Sequence, residues 1–223
     1  MKDLCLFDLD GTLTDPKVGI TKSVSYALDA FGIKVADLDG LKHFIGPPLR
    51  DSFREFYGFT EMEVEDAVSK YREYYSDIGI FENTIYDGIV DLLSYLKGKN
   101  VIMVIATSKP TVFAERIAEH FDIRHYFELI VGSELDGTRS LKSEIINCAL
   151  SQVDPERKKR TVMIGDRKHD IIGARETGIN SIGVTWGYGL RSELESVKAT
   201  WIADSPNELL DLIVNEACGG VKK

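Results

Sequence analysis

At 223 residues, 43% apolar and 28% charged, the chain has the composition of a folded protein with room for one large domain or two modest ones. Its net charge of -9 and pI near 5.0 argue against a partner such as a nucleic-acid polymer or an anionic membrane, so a small anionic ligand would need a local cation. No apolar stretch approaches the length of a bilayer span and no signal-peptide pattern precedes the first apolar run. Cys5, Cys148 and Cys218 lack the close spacing of a zinc site, so a cytoplasmic protein with reduced thiols is expected.

Leu4 to Phe7 reads as a buried strand, and it runs into Asp8-Leu9-Asp10-Gly11-Thr12. Asp8 and Asp10 are two apart, so on an extended chain their carboxylates project to one side. Asp15-Pro16 then supplies a cap and a first-turn proline for a helix ending near Gly32. The loop Phe44-Ile45-Gly46-Pro47-Pro48 breaks the helical pattern. Helix resumes at about Leu49, and Thr60 with Glu63 predicts a capping box before the next one. No strand is expected between about 16 and 80.

From Tyr86-Asp87-Gly88 onward, short apolar runs alternate with amphipathic helices, the signature of a parallel sheet. The predicted strands are Val101–Ala106, Leu129–Val131, Thr161–Ile164 and Ser181–Thr185. Helices are expected after each of the first three, and Ser205-Pro206-Asn207-Glu208 caps a last one. The tail from Cys218 to Lys223 is expected to fray. A lone first strand cannot stand in water, so it must join the later sheet. The fold expected is α/β: a Rossmann-like parallel sheet flanked by helices, formed by residues 1–15 and 81–223, with residues 16–80 inserted as an α-helical cap over the sheet's carboxyl edge.

Four strand ends or helix starts then carry polar residues: Asp8 and Asp10, Thr107 and Ser108, Lys142, and Asp166 with Asp170. Four carboxylates against the single Lys142 ammonium repel one another. A divalent cation resolves that repulsion, and an all-oxygen donor set fits Mg²⁺ sharing its shell with a substrate phosphate. The Thr107 hydroxyl, backbone N–H groups at a helix start and Lys142 can hold a phosphoryl group. One carboxylate can attack phosphorus, and another can protonate the leaving oxygen and then activate water. His169 has no paired ligand at zinc spacing and reads as a surface residue.

Asp8-Leu9-Asp10-Gly11-Thr12, Thr107, Lys142 and Gly165-Asp166-Arg167-Lys168-His169-Asp170 together resemble the four motifs of the haloacid dehalogenase superfamily. The resemblance implies Asp8 as nucleophile, Asp10 as general acid and base, and Thr107 and Lys142 as phosphate binders. It also implies Mg²⁺ held by Asp8, the Asp10 carbonyl and Asp166, with Asp170 ordering the metal's waters. The aspartate at position 10 is similar to that of the family's phosphatases and phosphomutases, which places phosphate esters ahead of dehalogenation. The Phe44 to Leu49 loop with Asp87-Gly88 looks most like the phosphoglycolate phosphatase group, with 5′-nucleotidase, pyrophosphatase and sugar phosphomutase activities as alternatives. In each case the partner implied is a small phosphorylated metabolite. Ser108 and the cap residue Arg50 are candidate substrate contacts, and Trp186 and Tyr188 either line the entrance or pack within their loop. From other classes, a receiver domain would carry its phosphorylated aspartate on a central strand without a cap, and a mere phospho-ligand binder would need no acid–base partner.

Overall fold

The computed structural model describes residues 3–154 and 160–215, so Cys218 and the expected frayed tail lie outside the described residues. The chain divides into two compact units, Met1–Leu13 with Ile85–Lys223, and Thr14–Thr84. In chain order, β1 (Leu4–Phe7) belongs to the first unit, and β2 (Thr14–Asp15), α1 (Lys17–Asp29), α2 (Leu49–Tyr57) and α3 (Glu61–Tyr75) to the second. β3 (Thr84–Ile85) pairs with β2 in a two-stranded sheet. There follow α4 (Ile89–Gly98), β4 (Ile102–Pro110), α5 (Thr111–His120), β5 (Leu129–Ser133), α6 (Lys142–Ser151) and β6 (Thr161–Gly165). The described chain ends with α7 (Lys168–Glu176), β7 (Asn180–Val184), α8 (Arg191–Ser196), β8 (Trp201–Ala203) and α9 (Pro206–Asn215). Among the described residues, no helix is long and apolar enough to cross a membrane.

The first unit is built on a six-stranded sheet in the order β5-β4-β1-β6-β7-β8, with every pairing parallel. Leu4, Leu6, Val104 and Met163 share one face and pack with Ile145, Ile146 and Ala174 from α6 and α7. The other face, carried by Cys5, Phe7, Met103, Ile105, Val162 and Ile164, is equally buried. Burial on both sides is why these strands read as continuous apolar runs rather than alternating ones. β1 is central, and the chain proceeds from it to β4 on one side and later to β6 on the other. The strand order therefore reverses beside β1, the place where an open α/β sheet leaves a crevice at its carboxyl edge.

The second unit is helical. The Asp15 carboxylate accepts the Lys17 N–H at 3.0 Å at the start of α1. Thr60 and Glu63 form the expected capping box on α3, the Thr60 N–H donating to Glu63 at 2.8 Å. α1 is drawn close to the segment after α3 because Gly19 carries no side chain. A Cβ there would lie 1.8 Å from the Gly79 carbonyl oxygen. Phe53 packs against Phe44 and Phe59, Tyr57 bridges the same two rings, and Phe31 packs against Phe59. Residues Leu38–Phe44, which give no amphipathic signal in the sequence, form a 3-10 helix started by the Asp37 carboxylate on the Asp39 N–H.

Candidate active site

The site begins where β1 ends. The Asp8 N–H donates to the Ile164 carbonyl at 2.8 Å, carrying the ladder with β6 one residue beyond the strand. The backbone then turns, with Thr12 and Leu13 donating back to the Leu9 carbonyl. Gly11 sits in this turn at φ 85°, a conformation open to glycine at little cost. A Cβ at Gly11 would also lie 2.3 Å from Asp166 Oδ2. The turn thus lies directly against the carboxylate at the end of the neighbouring strand.

Lys142, first residue of α6, is buried among three oxygens. Its Nζ lies 2.9 Å from Asp8 Oδ1, 2.8 Å from Asp170 Oδ1 and 3.1 Å from the Ala106 carbonyl. The carbonyl takes a hydrogen bond, while the two carboxylate oxygens make ion-pair contacts out of line for one. Burial works against the ammonium, but Asp170 and Asp8 overcome it and push its pKa upward. Close packing of α6 on α7 places it there: a Cβ on Gly173 would come within 2.9 Å of the Lys142 side chain. A lysine so held is a fixed positive charge rather than a solvated one.

Asp166 follows β6 and Asp170 lies in the first turn of α7, where Asp170 Oδ2 accepts the Arg167 N–H at 3.1 Å. Oxygens of Asp8, Asp166 and Asp170 lie within 4.8 Å of one another, and all three residues are buried. Asp166 Oδ2 accepts the Tyr188 N–H at 2.7 Å, whereas Asp166 Oδ1 is buried with no hydrogen-bond partner among the described residues. Burial, with Asp170 and Asp8 nearby, pushes the Asp166 carboxyl up to about 8. Asp170 is also raised, mainly by burial, against the opposing pull of Lys142. Desolvated acids with an oxygen left unpartnered fit a hard divalent cation, which takes oxygen ligands and removes their mutual repulsion. Asp170, which the resemblance implies would order the metal's waters, has its carboxylate in the same buried cluster as those of Asp8 and Asp166.

Asp10 is held by a residue the sequence reading passed over. Lys109, 6% exposed, places Nζ 2.7 Å from Asp10 Oδ2. Burial raises the Asp10 pKa, with Lys109 the main opposing influence. The signal was present, since Lys109 stands two residues beyond Thr107 and residues two apart share a side of an extended strand. It was missed because the strand was expected to stop at Ala106, whereas β4 continues to Pro110 through a shift in its register with β5. Thr107 is buried at this strand end and its hydroxyl accepts the Lys109 N–H at 3.3 Å. The Ser108 carbonyl accepts the Ser133 hydroxyl at 2.8 Å. Arg50 belongs to the second unit, where its guanidinium meets both Glu65 carboxylate oxygens at 2.6 and 2.8 Å. Trp186 donates its indole N–H to the Thr12 carbonyl at 3.0 Å.

Comparison with known proteins gives this arrangement its kinship. Residues 5–184 match the haloacid dehalogenase-like hydrolase family. The chain belongs to that family. A 5′-nucleotidase of Pseudomonas aeruginosa is 48% identical over 195 residues, covering 87% of this chain and 88% of the relative. The tyrosine-protein kinase PtkA of Mycobacterium tuberculosis is 41% identical over 197 residues, 88% of this chain and 67% of its own. The crystal structure of a predicted phosphatase from Clostridium acetobutylicum superimposes with a TM-score of 0.91 at 48% identity, covering 96% of this chain and 99% of that one. As a haloacid dehalogenase-like hydrolase, the protein is an enzyme with the parallel α/β sheet expected from its sequence.

Proposed function

We propose that the protein is a Mg²⁺-dependent phosphatase that hydrolyses a small phosphomonoester through an aspartyl-phosphate on Asp8. The observation that carries this reading is the buried cluster of Asp8, Asp166 and Asp170 around Lys142, at the exit of the central strand. In this reading Asp8 and Asp166, with the Asp10 carbonyl, hold Mg²⁺, and Asp170 orders the waters around them. Bound there, Mg²⁺ would offset the negative charge of the carboxylates and of the phosphoryl oxygens. Lys142, already 2.9 Å from Asp8, orients the nucleophile and adds a second positive charge. With the Ala106 carbonyl taking one N–H, the ammonium keeps two donors to share between Asp8 and the phosphoryl group. Thr107 supplies a hydroxyl to the same group.

The chemistry then divides into two steps. An Asp8 carboxylate oxygen bonds to phosphorus while the ester P–O bond breaks, and Asp10 gives a proton to the departing oxygen. Asp10, now ionised, takes a proton from water as that water attacks phosphorus and frees Asp8. Ser108 and Arg50 are proposed to contact the rest of the substrate, and Arg50 would exchange its fork on Glu65 for a substrate anion.

Two substrates lead the field. Phosphoglycolate is favoured by the likeness of the Phe44 to Leu49 loop to that group. A nucleoside 5′-monophosphate is favoured by the 48% identity to a protein named a 5′-nucleotidase. The test is kcat/KM for these two, pyrophosphate and sugar phosphates, each with Mg²⁺ and with excess chelator. Metal-dependent release of phosphate from at least one monoester is expected; full activity in chelator, or no hydrolysis of any member, would overturn the reading.

A further inference from the structure

We propose that the loop Trp186–Gly189 is a positioning clasp for the cation site, holding Asp166 so that one carboxylate oxygen is engaged and the other is presented to a divalent cation. The inference rests on the reading of Asp8, Asp166 and Asp170 as a cation site, and assigns this loop a task within it.

The loop follows β7, yet it touches the exits of both β1 and β6. Tyr188 gives its backbone N–H to Asp166 Oδ2 at 2.7 Å, while Asp166 Oδ1 has no hydrogen-bond partner among the described residues. A carboxylate bonded at one oxygen has its plane fixed, and the second oxygen is then offered in one direction. Trp186 secures the other side of the loop, its indole N–H donating to the Thr12 carbonyl at 3.0 Å, in the turn that continues from Asp8 and Asp10. Between them, Gly187 is pressed against both elements. A Cβ there would lie 2.3 Å from the Gly11 carbonyl oxygen and 2.4 Å from Asp166 Oδ2. A Cβ on Gly189 would lie 1.8 Å from the Asp166 carbonyl oxygen.

These contacts ask for more than filling space. Apolar packing would be met by any side chain of suitable size, but Gly187 against the Asp166 carboxylate and Gly189 against its main-chain carbonyl leave room only for backbone. The donor aimed at Asp166 is a main-chain N–H, which carries no charge of its own to compete with a cation. Trp186 and Tyr188, read from the sequence as lining the entrance or packing within their loop, are in this proposal the anchors on either side of Gly187.

The test is a calorimetric titration of Mg²⁺ into the full chain, as wild type, Gly187→Ala and Trp186→Phe, alongside thermal unfolding of each in excess chelator. Gly187→Ala is expected to weaken Mg²⁺ binding by about 10- to 100-fold, the range found for residues that orient metal ligands. Trp186→Phe, which keeps a ring but removes the N–H, should weaken it by a smaller factor. Trp186→Phe should unfold in chelator near the wild-type temperature, whereas Gly187→Ala, whose Cβ meets the Gly11 carbonyl oxygen, should unfold at a lower one. Wild-type Mg²⁺ affinity in both variants would overturn the clasp, as would a lowered unfolding temperature in chelator with affinity unchanged. If Gly187→Ala does not fold, Trp186→Phe decides alone. If the wild type binds no divalent cation, the cation reading itself fails and takes the clasp with it.

Discussion

Lys109 alters the charge balance of the site. Without it, four buried carboxylates face one ammonium; with it, Asp10 has its own partner at 2.7 Å and Lys142 is left to Asp8 and Asp170. The two aspartates of the first motif are thereby separated electrostatically as well as by position. Removing the Lys109 ammonium leaves Asp10 Oδ2 without its ion pair, and its carboxyl is then less well held for proton transfer. Lys109→Met should therefore lower kcat at least about tenfold for alkyl phosphates, whose leaving oxygens need a proton. The first step, read as the rapid release of the leaving group before steady state, should be slowed far less for p-nitrophenyl phosphate, whose leaving group departs as an anion. Equal slowing of that step on both substrates would show that Lys109 does not act through Asp10. Asp8, Asp10, Lys142, Asp166 and Asp170 were all legible in the sequence, because each stands at the end of an apolar run or at a helix start. Lys109 was not, because its assignment depended on three further residues of strand.

At the level of the elements, the starts of the helices matter most, since they aim Lys142 and Asp170. The beginning of α7 is fastened from outside by α8, whose Glu193 accepts the Lys168 N–H at 2.8 Å and the Arg167 Nε–H at 3.2 Å. Burial alone would raise the Glu193 pKa, but the Lys168 N–H and Arg167 together bring it below the usual carboxylate value. A carboxyl with a depressed folded pKa adds stability above its unfolded value near 4.5, and loses it as pH falls through the folded value. Glu193→Gln should thus cost on the order of 1 kcal/mol at pH 7, and denaturant titrations should show the gap from wild type closing as pH falls below about 4.5. A gap independent of pH would assign the effect to packing. In the helical unit, Thr60→Ala removes the Thr60 hydroxyl from its capping box with Glu63 and should cost about 1 kcal/mol, read as an earlier loss of helical circular dichroism. Most elements were legible from periodicity and caps. β8 was not, because Trp201-Ile202-Ala203 is three residues long and only partly buried, too short to show a period. The 3-10 helix Leu38–Phe44 was also missed, since its polar run carries no amphipathic stripe.

For the whole molecule, the sequence reading of a parallel sheet rested on short apolar runs alternating with amphipathic helices, and the six-stranded sheet is parallel throughout. What periodicity does not contain is the strand order. That order sets β1 between β4 and β6, and so gathers Asp8, Thr107 and Asp166 at one edge although more than 150 residues separate the first from the last. A net charge of -9 makes this local arrangement necessary for an anionic substrate, since the overall field repels it. The central claim is that phosphorus passes through a covalent bond to Asp8. It is tested most directly by acid-quenching the enzyme during turnover of a ³²P-labelled phosphomonoester in Mg²⁺ and locating the label by peptide mapping. The account predicts label on the peptide containing Asp8, absent in chelator and absent from Asp8→Asn. Phosphate release with no label on that peptide, or unabated turnover by Asp8→Asn, would contradict it.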